Sequence, residues 1–395
     1  MNNNLIIAIY SHPEYYPPTL NAIEQLSVYY KKIIVVHRNI EGFDWEYPSN
    51  VQLISVCKKY HVRETEKASV FKKTYWFLRY TLLLFYMIRK IKPDTVILYD
   101  SMPILSWRII HKLIPIPHIL WYHNHDVTGE KYFKKLSLSH WAAKSEKWVF
   151  ARLNIFSLPA LERKVYFPMN KLKGAFFFIP NYPSIKVFDR ISILTKKRSN
   201  SLRILFQGSI GPMHGLEEII TILKHSVTDK KLTLVLKGFI SDSYKKELQV
   251  LAEKYGVGNA LLFLPPSGYR EVIENAQSCH IGIGIHKKTD IMNQTLGTAS
   301  NKIYEYAASG LPVLLFNNEH FRGSLGKREW VFFTDTSKES FLTCFELIEK
   351  KYKTLSEKAT EDFKKHLNFE LVFSPVLKYL LLQANKSRHS IAITI

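Results

Sequence analysis

Short apolar runs alternate with longer amphipathic ones along the whole chain, the pattern of helix and strand layers built around parallel sheets. In the first half, LIIAIY (5–10), KIIVVH (32–37), VQLISV (51–56), TVILYD (95–100), HILWYH (118–123) and NIFSLP (154–159) predict strands. Helical periodicity fits residues 19–30, 69–91, 103–113 and 137–151. In the second half, LRILFQ (202–207), LTLVLKG (232–238), ALLFL (260–264), HIGIGI (280–285), PVLLF (312–316) and WVFF (330–333) predict strands. Helices are expected near 215–226, 241–255, 269–277, 301–309 and 338–352, with more helix after them. Pro183, Ser184 and the polar tract TKKRSNS fall between the halves. The expected organisation is two Rossmann-like domains, 1–195 and 196–365, with a cleft between them. Residues 366–395 form a C-terminal helix and tail packing back toward the first domain. Open sheets of this kind bind ligands at the carboxyl ends of their strands, which favours an enzyme over a scaffold.

A length of 395 residues suits two such domains and is too long for one ordinary core. Charge changes the picture more. The net charge of +21 splits unevenly: residues 1–199 hold 30 Lys+Arg against 14 Asp+Glu, and the rest hold 25 against 20. An excess of +16 in the first half predicts a lobe facing something acidic. Cys57, Cys279 and Cys344 show no metal or disulfide spacing, which predicts a reducing compartment. The N-terminus lacks a signal-peptide pattern, and Arg79 interrupts the longest apolar stretch, 75–91. A cytoplasmic protein is expected, peripheral on the inner face of a membrane.

The most informative segment is TASNKIYEYAASGLPVLLF (298–316). Gly297, Thr298, Ala299 and Ser300 lead into a helix whose free N–H groups suit a diphosphate. Asn301 and Glu305 share one helix face, and Lys302 adds charge at the same end. NKIYEYAASGLPV resembles the donor-binding helix of glycosyltransferase family 4. That resemblance implies a GT-B fold and a retaining, metal-independent glycosyltransferase of hexosyl type. Glu305 takes the position of the family's ribose-binding second glutamate; the first would fall on Gly297, so its role passes to backbone amides, Asn301 and Lys302.

ILFQGSIGPMHGLEEIITIL (204–223) has the strand, glycine turn and helix of the family's first donor-domain loop. Gly208, Ser209, His214 and Lys237 join the donor set, with Ser209 and His214 where the family usually has basic residues. A plain strand–helix connection is the bland alternative for this turn. WYHNHDVTGE (121–130) places His123, His125 and Asp126 at a strand end; as catalytic candidates they would face the reacting sugar or orient the acceptor hydroxyl. A metal site or simple strand-end histidines are the alternatives. FIPNYPS (178–184) reads as a hinge, and the loop SHPEYYPPTLN departs from the family's glycine pair and is open to acceptor binding.

The chain holds no Asp-x-Asp, so no metal and no cofactor is expected; diphosphate stabilisation falls to the helix dipole, amides and basic side chains. Basic–aromatic segments 69–91 and 131–148 suit an anionic membrane surface. The expected partners are a nucleotide-sugar donor and a glycan or lipid-linked (polyprenyl-type) acceptor, as in bacterial surface polysaccharide or glycolipid synthesis. Nucleic acid is not among them, since no recognition motif accompanies the charge. The alternatives are a nucleotide-sugar epimerase or hydrolase on the same fold, and a non-catalytic membrane-surface subunit.

Overall fold

The computed structural model describes residues 3–56, 58–127, 133–191, 201–287, 293 and 295–392. Cys57, part of the loop 121–130 and the tract TKKRSNS up to Asn200 lie outside them. The chain divides into two compact units: residues up to Pro180 together with those from Glu370, and Asn181–Phe369.

Each unit is a parallel sheet wrapped by helices. In the first, β1 (Asn4–Ile9), β2 (Lys32–His37), β3 (Val51–Ile54), β4 (Thr95–Tyr99), β5 (Ile119–His123), β6 (Ile155–Leu158) and β7 (Ala175–Phe178) lie in the order 3-2-1-4-5-6-7. The central strands are apolar on both faces because helices cover both. Strand order reverses between β1 and β4, the switch point where such sheets bind ligands. β7 was not foreseen; its residues AFFF adjoin the stretch read as a hinge.

The second unit repeats the plan. β8 (Ser201–Ile210), β9 (Ser226–Val227), β10 (Lys230–Ile240), β11 (Leu261–Leu264), β12 (Ile281–Gly284), β13 (Val313–Phe316) and β14 (Val331–Thr334) give the path 11-10-8-12-13-14, with β9 antiparallel on β10. Alternation along β8 divides the core. Leu202, Ile204 and Phe206 pack into one cluster, and Leu205 into another with Tyr304, Tyr306 and Trp330. Gln207 continues the second series. The helix expected over 215–226 stops at Ile222, because Thr228 (φ 45°) and Asp229 (φ 65°) turn the chain into the β9–β10 hairpin. At the far end of the β8–β10 pair, Gly208 stands opposite Gly238. Gly238 has φ +134°, and a Cβ there would lie 2.1 Å from the Gly208 carbonyl oxygen, so only glycine fits.

After Phe369 the chain returns to the first unit as the helix Phe369–Ala392. Phe373 stacks on Trp121 (5.9 Å between ring centres), Tyr379 meets Phe177 edge-on, and Gln25 donates to Glu370. The helix Val70–Ile91 buries Trp76, Phe77, Tyr80, Leu84 and Ile88. Its outer face is also apolar: Phe71, Tyr75, Leu78, Leu82 and Tyr86 are exposed at spacings of three and four, beside exposed Arg79, Arg89 and Lys90. No helix among the described residues is long and apolar enough to cross a membrane.

Candidate functional site

In the second unit the carboxyl end of β8 meets the helix Asn301–Ala308, and several of the expected donor residues lie there. No side chain caps this helix at Ser300, so its first amides are left for another partner. Thr298, Ala299, Asn301 and Lys302 are half-buried, while Gly297 and Ser300 are buried. Asn181 fixes the approach: its amide N–H donates to the Thr298 carbonyl (2.9 Å) and its side chain to the Ala299 carbonyl (2.7 Å). The hinge segment therefore shapes the loop that leads into this helix, a role the sequence did not disclose.

Glu305 is buried and points at the end of β8. Gln207 Nε2 donates to its carboxylate at 2.6 Å, and the Tyr269 hydroxyl donates as well. Burial pushes the Glu305 carboxyl up to about 7, against the lowering effect of those bonds and of Lys302. Two donors leave lone pairs on a carboxylate free for a further pair. Gln207 Oε1 and Asn301 Oδ1 are also buried without a partner among the described residues. All are acceptors, so each can take a hydroxyl or amide donor. Gln207 and Tyr269 were missed by sequence; a glutamine inside the apolar run ILFQG was the available signal.

Lys302 lies over the Phe206 ring (4.1 Å), and His214 stacks on the same ring (4.6 Å). A Cβ at Gly208 would sit 3.7 Å from the Lys302 ammonium, so Gly208 and Lys302 are neighbours. Burial lowers the Lys302 ammonium to about 8, with Glu305 opposing. His286, not foreseen, meets His214 edge-on. Ser209 is exposed on β8. Lys237 is buried, its ammonium 2.6 Å from Glu271, so a neighbouring carboxylate already balances that charge. Gly297 explains the absent glutamate. A Cβ there would meet Ser324 Oγ at 2.5 Å and His320 Nε2 at 2.7 Å, and the Tyr304 hydroxyl holds its carbonyl, so a longer side chain would require both neighbouring side chains to shift.

In the first unit, His123 and His125 are buried at the end of β5 and Asp126 is exposed beside them. His125 is fully engaged: Nδ1 lies 2.9 Å from Asp100 Oδ2, Nε2 lies 3.1 Å from Thr19 Oγ1, and the ring is stacked by Tyr16 and Tyr99. Arg163 donates to the His125 carbonyl. His123 Nδ1 is 2.8 Å from Ser157 Oγ, and Nε2 is buried with no partner among the described residues. Burial and the neighbouring His125 hold His123 far below the usual imidazole range, hence neutral. Asp100, which also takes the His125 amide N–H at 2.7 Å, sits at φ 63°, ψ −176°. That conformation costs a non-glycine residue about 1–3 kcal/mol and is retained where a side chain must be held in place. No group of three or more His, Cys, Asp or Glu among the described residues forms a metal site.

Residues 188–365 match the family model described as glycosyl transferases group 1. No curated protein matches the chain. Among solved structures, sucrose-phosphate synthase from Thermosynechococcus elongatus superposes with a TM-score of 0.66 at 11% identity, over 97% of this chain and 100% of that one. HepE from Anabaena, in complex with UDP and glucose, gives 0.63 at 12%, over 95% and 99%. WaaG, a glycosyltransferase involved in lipopolysaccharide biosynthesis, gives 0.59 at 13%, over 94% and 98%. At these identities the likeness establishes a shared fold, the GT-B arrangement of two Rossmann-like domains.

Proposed function

We propose that this protein is a glycosyltransferase that takes a sugar from a nucleoside-diphosphate donor and passes it, with retention, to a glycan or lipid-linked acceptor. The observation that carries this reading is the buried Glu305 carboxylate one turn inside an uncapped helix, with Lys302 and Gly208 beside that helix end. A ribose diol donates to Glu305, and the diphosphate rests on the amides of Asn301 and Lys302 and on the Lys302 ammonium. Ser209 and His214 belong to the same turn, and Lys237, paired with Glu271, stands opposite Gln207 on the neighbouring strand. UDP is the favoured nucleotide because HepE was crystallised with it. His123, His125 and Asp126 belong to the sugar-handling side in the first unit, with Asp100 as the positioning residue for His125. The departing phosphate oxygen takes the acceptor proton, in keeping with the lack of an unengaged basic nitrogen on His125. The apolar, basic-edged stripe on helix Val70–Ile91 suits an anionic membrane surface, and WaaG's role offers a parallel in surface glycan synthesis.

Product analysis tests the reading. With labelled UDP-glucose and a bacterial lipid extract, label is expected in lipid or glycan. Free sugar alone, or an epimerised nucleotide sugar, would instead indicate hydrolysis or epimerisation on the same fold.

Donor affinity should also depend on pH. It needs Glu305 ionised and Lys302 protonated, so UDP-glucose affinity rises as pH climbs through about 7 and falls as it passes about 8. Titration calorimetry between about pH 6 and pH 9 reads both limbs. A flat profile would remove Lys302 and Glu305 from the donor site.

A further inference from the structure

A cavity of about 80 Å³ lies wholly within the first unit, where the carboxyl end of β2 meets helix Val70–Ile91. Strand carboxyl ends are where such sheets hold ligands, yet the lining includes none of the residues assigned above to donor or sugar handling. One water needs only about 10–15 Å³ measured in this way, so there is room for a polyatomic group. The charged side chains around it already have partners. Arg38 donates to Thr65 Oγ1 at 3.1 Å and lies over the Tyr10 ring at 5.0 Å. Arg79 donates to the Tyr75 hydroxyl at 2.5 Å and lies over that ring at 5.4 Å. What is left unmet is neutral. His37 Nδ1 lies 2.6 Å from the Arg38 carbonyl oxygen, which can only accept, so Nδ1 carries the proton. Burial holds the ring down to about 4, hence uncharged, which makes Nε2 an acceptor. That Nε2 and the Tyr80 hydroxyl have no hydrogen-bond partner among the described residues, although His37 is only 1% exposed and Tyr80 2%. Leaving such groups unmet is costly unless something arrives to meet them. The walls are aromatic, with Tyr60 and Trp76 at 5.0 Å between ring centres and the exposed Tyr75 beside them.

We infer that this cavity is an acceptor subsite for an uncharged sugar, whose hydroxyls meet His37 Nε2 and the Tyr80 hydroxyl. Nε2 needs a donor, the Tyr80 O–H needs an acceptor, and a sugar hydroxyl is both. The aromatic walls cover the C–H face of the ring that carries it. An ionised carboxylate or phosphate brings no proton for Nε2 and meets guanidiniums that are already engaged. An ammonium could donate to Nε2, but only beside two like charges. The inference rests on the transferase reading, because it names the acceptor's class: a neutral glycan.

The test is ligand-observed NMR titration of the intact protein, saturated with UDP so that the donor pocket is filled. The probes are the methyl glycosides of glucose, galactose and mannose, each beside its uronic-acid and amino-sugar counterparts. At least one neutral glycoside should bind about tenfold or more tightly than its charged counterparts. Tyr80→Phe, which keeps the ring, should weaken that glycoside about threefold to tenfold. Without sugar, the same variant should unfold at higher urea, because an unmet buried hydroxyl has gone; a hydroxyl that merely held the fold together would shift the midpoint down. UDP affinity should not move. No binding of any neutral glycoside, equal binding of the charged sugars, or a Tyr80→Phe variant with native glycoside affinity or a lowered midpoint overturns the subsite and leaves a cavity for water only. Failure of UDP itself to bind would instead strike the donor reading.

Discussion

Replacing Glu305 with alanine is expected to weaken UDP-glucose binding by about 10²–10⁴-fold. A ribose diol gives a carboxylate two charge-assisted hydrogen bonds, each worth about 1.5–3 kcal/mol, and about 1.4 kcal/mol corresponds to a factor of ten. The alanine variant also strips Gln207 Nε2 and the Tyr269 hydroxyl of their acceptor, so loss of stability could mimic loss of binding. Glu305→Gln separates the two. Its shape is kept, while the negative charge is gone. The sign follows from the raised carboxyl: Glu305 stabilises the fold fully below about 4.5, and that contribution is lost as pH rises through about 7. Without ligand, Glu305→Gln should therefore gain stability relative to the native chain as pH moves from acid to above 7, yet still bind UDP-glucose poorly. Urea unfolding at the two pH values and calorimetry give the two readings. Native-like affinity in both variants would show that the carboxylate does not touch the donor.

Gly282→Ala should cost about 3 kcal/mol or more of stability, although it adds a single methyl group far from any ligand. Its Cβ would lie 2.2 Å from the ring of Tyr306, itself fully buried between β12 and the helix that carries Glu305. Insertion into a packed core commonly costs about 1–3 kcal/mol, and a contact this short with a rigid ring lies at the upper end. The ring has a second duty, since the Tyr306 hydroxyl accepts the backbone N–H of Gln207 at 2.9 Å. A shift of Tyr306 thus reaches Gln207 and Glu305 together, and donor affinity should drop along with the unfolding midpoint. A midpoint unchanged in urea would mean that this strand and helix are not packed as described.

Much of the architecture was legible because both sheets are buried on two faces, so their strands stand out as apolar runs between amphipathic helices. The turn that ended the helix near Ile222 was not, because Thr228 and Asp229 adopt positive φ without the glycine or asparagine that signals such a hairpin. Glu305, Lys302 and Gly208 were singled out as donor candidates from one helix and one glycine turn, and the fold places them near one another. Partners supplied from distant segments were invisible: Asp100 had been read only as a strand end, yet its strained backbone delivers both carboxylate oxygens to His125. Likewise, His125 looked like an available imidazole until Thr19 and Asp100 were seen on its two nitrogens.

The helix Phe369–Ala392 has a consequence for how the chain reaches this form. The second unit is one continuous stretch, whereas the first waits for residues beyond Phe369 before Phe373 can stack on Trp121 and Tyr379 can meet Phe177. A ribosome extends the chain at about 5–20 residues per second. For the seconds between translation of β5 and arrival of that helix, the earlier-made sheet stands with an aromatic flank bare, so the later-made half is the first able to close its core.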